Sequence, residues 1–396
     1  MDIINIPPKQ DLENKWLKLQ HKMSENGIDA CLIYSNVNLY YLTGEIFNGY
    51  LYLAVDSSPI CFITRETPLR KDLPFIVIRK PEEIPSLLIA KGLSFPKKIM
   101  FEGDQITYNE YIRLKNIFNN AETTADANII LRNIRMIKTD WEIEQLRLST
   151  KKHTEVYELI PSCYEPGISD IKFQANIERL ARKHGSIGIY RVFGTKMELH
   201  MGSILAGSNA EIPSPYDFAL GGNGIHPSIP FGANGTTLKE GISVMVDVAG
   251  NYTAYVSDMT RTYSIGKLPD TAYKVHQISR EIQDEIVQIA KPGVSCAELY
   301  ELSVKIVQKA KLTDCFMGTK LQAKFVGHGL GIEVNEPPVL TGKSKEVLAE
   351  NVTFALEPKF ILPEIGAVGI ENTFLVKRNG LEKLTLCSED IINLEQ

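Results

Sequence analysis

Short apolar runs separated by polar turns fill the first part of the chain. After a helical pattern at residues 11–26 come IDACLIYS, LYLAV, ICFIT, FIVIRK and KKIMFEG, whose length and content of β-branched and aromatic residues predict strands of an α/β domain. Around residues 124–138 the pattern passes from polar to helical, which marks a linker and sets the expected domains at 1–130 and 133–396. Thr139 with Glu142 reads as a capping box opening an amphipathic helix, and Val275, Ile278, Ile282, Ile286 and Ile289 form the apolar stripe of another. Pro166-Gly167-Ile168-Ser169 opens a helix expected to run through Lys183. Pro292-Gly293-Val294-Ser295, offset by 126 residues, opens one expected to run through Lys311, with Ser295 and Glu298 as a further capping box. The recurrence predicts two related halves, each a helix pair leading into sheet.

Strict alternation returns in SVMVDVAGNYTAYVSDMTRTY, where Val244, Val246 and Val248 alternate with Met245 and Asp247. A turn at Gly250-Asn251, with pairing about the midpoint between Tyr252 and Thr253, sets Asp247 opposite Asp258. Like charges directly across two strands destabilise a hairpin, so these aspartates need a cation between them. NVTFALEPKFILPEIGAVGIENTFLV repeats the device, with Glu357 and Glu371 symmetric about Glu364. Between the hairpins lies FVGHGLGIEVNEPP, whose glycines at 327, 329 and 331 permit close backbone approach around His328. Asp247, Asp258, His328, Glu357 and Glu371 make a hard, oxygen-rich set suited to Mn²⁺, Fe²⁺, Co²⁺ or Zn²⁺. Carboxylates able to bridge favour two divalent metal ions over one.

Composition narrows the field. At 396 residues the chain is long enough for two domains. A net charge of −5, from 43 basic and 48 acidic residues, leaves no electrostatic footprint for nucleic acid or an anionic membrane. The six cysteines form no CxxC and read as reduced, mostly buried thiols of a cytoplasmic protein. No signal peptide or membrane-spanning run is expected.

DVAGNYTAYVSDMTRT, GHGLGIEVNEPP, ALEPKF and GIEN, in this order, resemble the ligand motifs of the metallopeptidase superfamily that includes Xaa-Pro aminopeptidase, prolidase, methionine aminopeptidase and creatinase. The resemblance covers roughly residues 133–396 and implies the duplicated pita-bread α+β catalytic fold; residues 1–130 are similar to the creatinase-type N-terminal α/β domain. It implies that Asp247 holds one metal side, Asp258 and Glu371 bridge both ions, His328 binds one, and Glu357 binds a metal near the attacking water and takes its proton. In this family the N-terminal domain often completes the substrate pocket or the interface of a homodimer. Tyr40 and Tyr41, in a segment similar to one common there, are therefore either substrate contacts in trans or simple core.

The chain departs from the family at three places. Peptidases of the superfamily generally carry histidines four residues before and seven after the ligand histidine, and another in a proline-flanked upstream loop. Here Lys324, Asn335 and Ser214 stand instead, as candidates for substrate contact. None moves a proton near neutral pH as imidazole does. His226 and His200, in a segment rich in glycine and proline, are the candidate replacements, with His226 the catalytic one. His21, His153, His184 and His276 fall on predicted helices in solvated or capping roles. Arg261 is expected to pair with a ligand carboxylate or to form a sheet-edge salt bridge. The expected activity is dinuclear-metal hydrolysis of an amide bond in a small peptide-like substrate. The alternatives are non-peptide lyase or C–N chemistry at the same metals, and a noncatalytic binding module.

Overall fold

Each apolar run of the N-terminal region forms a strand: Ala30–Ile33, Gly49–Ala54, Ile60–Ile63, Phe75–Val77 and Lys98–Phe101. With Glu122–Thr124, which the sequence did not announce, they build a six-stranded mixed sheet in the order Phe75–Val77, Ile60–Ile63, Gly49–Ala54, Ala30–Ile33, Lys98–Phe101, Glu122–Thr124. Its central strands are buried at every residue, so they read as continuous apolar runs instead of alternating ones. Residues 6–66, 70, 72–194 and 196–395 are described by the computed structural model. Residues 1–5, read above as free of a signal peptide, lie outside them. Among the described residues no helix is long and apolar enough to cross a membrane.

Asn36–Thr43 is a helix whose N-cap, Ser35, accepts from the Asn38 N–H, and Gly44 ends it at φ 75°. Tyr41 is buried on this helix, 4.6 Å from ring centroid to the Lys15 ammonium. Of the two readings of this segment, core is the one observed for Tyr41; Tyr40 is half-buried. The expected linker is itself a helix, Ala127–Met136, which buries Ala127, Leu131 and Ile134. The chain accordingly divides later than 130–133, between Arg135 and Met136.

The second unit is built twice over. Thr139 and Glu142 form the capping box of the helix Asp140–Leu159, and Ser169 caps Asp170–Lys183. In the second half Asp270–Ile289 precedes Cys296–Lys309, whose cap Ser295 accepts from Ala297 N–H; the expected box with Glu298 does not form. The 126-residue offset holds for the start of the second helix of each pair, and its strand partners recur at an offset of 110. Ser169 bridges Thr237 as Ser295 bridges Val347, and Leu238 N–H donates to Ile168 O as Leu348 N–H does to Val294 O. Each helix pair covers its own sheet and core. Phe173, Ile177, Ile204, Val244 and Val246 belong to one core, and Ile282, Ile286, Leu299, Phe354 and Phe374 to the other. One sheet runs Ile392–Asn393, Thr260–Ser264, Ser243–Val248, Gly202–Ala206; the other runs Glu336–Val339, Gly327–Gly329, Thr353–Leu356, Asn372–Lys377, Gly380–Lys383. They meet where Thr260 bridges Glu371.

Corresponding helix positions grip the strands that carry the acids. The Tyr157 hydroxyl meets the carbonyls of Val246 and Met259, and Gln283, again 126 residues on, donates to those of Leu356 and Ile370. One turn before Tyr157, His153 is buried with its Nδ1 2.9 Å from Ser257 Oγ, and the ring fills the space where Gly250 has no Cβ.

Burial pulls the His153 pKa from its usual 6.5 down to about 3. Between those values the unfolded chain takes up a proton that the folded chain refuses, so this contribution to stability is full above pH 6.5 and is lost as pH falls toward 3. Denaturant midpoints measured from about pH 6.5 to 4 are expected to fall less steeply for His153→Gln than for the wild type. Parallel slopes would show that His153 is not a source of the acid lability.

Candidate metal centre

Asp247 sits on the central strand Ser243–Val248, flanked by Ser203 on one neighbouring strand and Thr260 on the other. The expected pairing with Asp258 is therefore corrected. Gly250–Asn251 is not the turn but a short strand paired with Val256–Ser257, and the chain reverses through residues 252–255, where Ala254 has φ 74°. The register moves by two residues, which keeps the face of each side chain while separating the two like charges. Asp258 falls in the break between Val256–Ser257 and Thr260–Ser264, where its carboxyl need not stack on that of Asp247. The second hairpin follows the expected symmetry about Glu364: Thr353 pairs with Leu375 and Lys359 with Gly369 in one register. Glu357 and Glu371 occupy the break between those two ladders. His328 pairs with Ala355, and a Cβ on Gly327 would lie 2.3 Å from Ala355 O, so only glycine lets the strands close here.

The five side chains converge. Asp258, His328 and Glu371 bring one ligand atom each within 4.8 Å of one another, and Asp247, Glu357 and Glu371 do the same. His328 Nε2 lies 3.5 Å from Glu357 Oε1 and 4.0 Å from Asp258 Oδ2. Its Nδ1 is 3.2 Å from Gly329 O, which fixes the tautomer that leaves Nε2 free to accept a metal. Thr260 Oγ1 donates to Glu371 Oε2 at 2.6 Å. Burial, reinforced by Asp247 and Glu357 against the pull of His328 and Lys359, pushes Asp258 up to about 7. Burial likewise drives Glu371 well above the usual carboxylate range, against the pull of Lys359. Acids held in this way favour a bound cation.

A residue absent from the sequence reading occupies the middle of the cluster. Lys359 is wholly buried, and its Nζ donates to Asp247 Oδ2 at 2.8 Å, Glu357 Oε2 at 2.7 Å and Glu371 Oε2 at 3.1 Å. All three ammonium hydrogens are thus used. Burial alone would lower its pKa, but the three carboxylates outweigh that and hold it well above the usual lysine value. At these distances each pair is worth roughly 6 kcal/mol in an effective dielectric of about 20, against a desolvation cost of several kcal/mol per ion. The signal was available: a two-residue step along a strand puts Lys359 on the face of Glu357.

The two ligand sets therefore differ in what they can hold. Asp258, His328 and Glu371 supply hard oxygens and an oriented imidazole, a donor set that fits one divalent cation. Asp247, Glu357 and Glu371 already share an ammonium. Arg261, fully buried, pairs with no ligand carboxylate. Its guanidinium donates to the carbonyls of Thr260, Glu371, Cys387 and Ser388 and to Asn372 Oδ1, fixing the backbone under Glu371.

The remaining candidates separate. Asn335 lines the cavity of about 110 Å³ over the carboxylates, together with Phe218, Leu220, Phe231 and Phe325. Its amide is engaged at both ends by the Phe193 backbone, at 2.8 and 2.9 Å. Ser214 and Lys324 line an adjoining cavity of about 340 Å³ that shares Phe218 and Phe325. His226 is not brought to the centre: it is exposed, with Nδ1 2.8 Å from Ser228 Oγ in a local turn. His200 stacks on Phe231 at 5.2 Å and faces a different cavity.

A duplicated unit that gathers four carboxylates, three of them buried, and an imidazole has the architecture of a metal-dependent hydrolase. Residues 144–378 match metallopeptidase family M24 and residues 15–137 match the Creatinase/Prolidase N-terminal domain, so the chain belongs to family M24, a metallopeptidase-type hydrolase. It is 27% identical over 395 residues to a Pyrococcus horikoshii protein named Xaa-Pro dipeptidase, covering 99% of this chain and 100% of that one. It is 28% identical to the uncharacterized peptidase YqhT of Bacillus subtilis, covering 95% and 99%. Among solved structures, the prolidase of Pyrococcus horikoshii shares the fold with a TM-score of 0.76 at 24% identity, over 96% of this chain and 100% of that one. An Xaa-Pro dipeptidase from Bacillus anthracis shares it with 0.79 at 23% identity, over 96% and 99%.

Arg261→Lys is expected to cost about 2–4 kcal/mol in equilibrium unfolding, because an ammonium cannot satisfy the carbonyls that the planar guanidinium spans. An unchanged denaturation midpoint would contradict that role.

Proposed function

We propose that this protein is a metal-dependent hydrolase of the Xaa-Pro peptidase type, cleaving an amide bond in a small peptide-like substrate. The observation that carries the reading is the convergence of Asp258, His328 and Glu371 beneath a cavity walled by Phe218, Leu220, Phe231 and Phe325. Relatives named Xaa-Pro dipeptidase over nearly the whole chain support the choice of bond. Asp258, His328 and Glu371 would hold a divalent ion of Mn, Co, Zn or Fe there, which would lower the pKa of a bound water and polarise the carbonyl. Glu357 is the proton acceptor: Lys359 anchors its Oε2, and its Oε1 lies on the His328 side. The apolar wall excludes bulk water and receives the ring or side chain of the substrate. Ser214 and Lys324, in the adjoining cavity, take its far end. Asn335 holds the Phe193 segment in place as a positioning residue. Six free thiols, four of them buried, accord with a cytoplasmic setting. The homodimer inferred from the resemblance is retained as part of this reading.

A second reading keeps the centre and changes the bond, to a non-peptide C–N bond. It is favoured by the cavity wall, where His328 is the single imidazole among the described residues, so no second histidine stands ready to shuttle a proton.

The two separate in an assay of Xaa-Pro dipeptides and longer peptides with each of Mn²⁺, Co²⁺, Zn²⁺ and Fe²⁺. Turnover is expected for an Xaa-Pro substrate, with Glu357→Gln lowering kcat by at least about 100-fold. Activity no greater than that of the variant with every metal would displace the peptidase reading in favour of the second.

A further inference from the structure

The Lys359 ammonium meets three oxygens, and those oxygens belong to the three residues that make up one of the two ligand sets. Metal–oxygen bonds to carboxylates run about 2.0–2.2 Å, so an ion bonded to the same three oxygens would need the place the nitrogen holds. The side chain is also rooted firmly. Lys359 pairs with Gly369 in its hairpin, its carbonyl accepts from Met317 N–H at 2.8 Å, and it is wholly buried. The other set has its own supports: Thr260 donates to Glu371 Oε2 beside the lysine, and the contact of His328 Nδ1 with Gly329 O orients the imidazole. Glu371 belongs to both sets and lies between the ammonium and the open one, as a bridging carboxylate lies between two ions.

We propose that Lys359 permanently takes the place of one divalent cation, so that the centre binds a single metal ion, held by Asp258, His328 and Glu371. The inference rests on the metal-dependent reading above and makes it more specific. An ammonium neutralises the acids around it as a metal ion would, but it offers no coordination position to water or to a carbonyl. Asp247 then serves the lysine and no metal, and Glu357 is held by the lysine on one side while its other oxygen faces the ion site.

The test is a metal count on the full chain, stripped with chelator, loaded with Mn²⁺ and dialysed, together with its electron paramagnetic resonance spectrum. One Mn²⁺ per wild-type chain is expected, with the hyperfine-split signal of an isolated ion. Lys359→Ala is expected to bind two, with the broadened signal of a coupled pair. Two ions in the wild type, or one ion still in the variant, would overturn the substitution by lysine and leave metal-dependent hydrolysis standing. No bound ion in the wild type would overturn both. The wild-type count and spectrum decide the matter if Lys359→Ala does not fold.

Discussion

Four carboxylates brought together inside a protein repel one another and lose their hydration, and every other feature of the catalytic unit answers to that constraint. Asp258, Glu357 and Glu371 are almost fully buried and Asp247 partly so. Burial and the neighbouring acids push the pKa values of Asp258 and Glu371 upward, so their charged forms need a positive partner. Positive charge at the centre is therefore a condition of the architecture. Lys359 meets part of it from within the chain, and the unpaired side, built around His328, is left for a cation from solution.

The duplicated scaffold explains how the acids are held against their repulsion. Each half places a helix residue, Tyr157 or Gln283, on carbonyls that flank the acid-bearing positions of its sheet. Asp258, Glu357 and Glu371 lie at breaks between ladders, where a side chain is free to aim inward, and Asp247 has Thr260 and not Asp258 opposite it. Arg261 closes the seam at which the sheets meet, binding the carbonyls of Thr260 and Glu371 together. Stability and site geometry thus depend on the same bonds. A change in this layer that loosens the fold also moves the ligands.

Much of this was legible in the residues. The apolar runs of the N-terminal unit became strands, the Thr139–Glu142 cap formed, and the Glu357–Glu371 symmetry about Glu364 is the observed register. The Asp247–Asp258 register was misjudged because Gly250-Asn251 resembles a two-residue turn; the buried ring of His153 against Gly250 holds that dipeptide in a strand instead. Ser295 and Glu298 have the spacing of a capping box, yet Ser295 spends its oxygen on the Ala297 N–H. His226 looked available because its loop is rich in glycine and proline, but composition does not say which way a loop faces. Lys359 escaped notice for a different reason. A lysine beside a proline in a strand is ordinarily solvated, and only the three converging acids make its burial favourable.

The position of bound metal decides between a lysine and a second ion most directly. Anomalous diffraction from crystals soaked in Mn²⁺ should show one peak among Asp258, His328 and Glu371, with the Lys359 ammonium still hydrogen-bonded to Asp247, Glu357 and Glu371. A second peak among Asp247, Glu357 and Glu371, with Lys359 swung away, would contradict it.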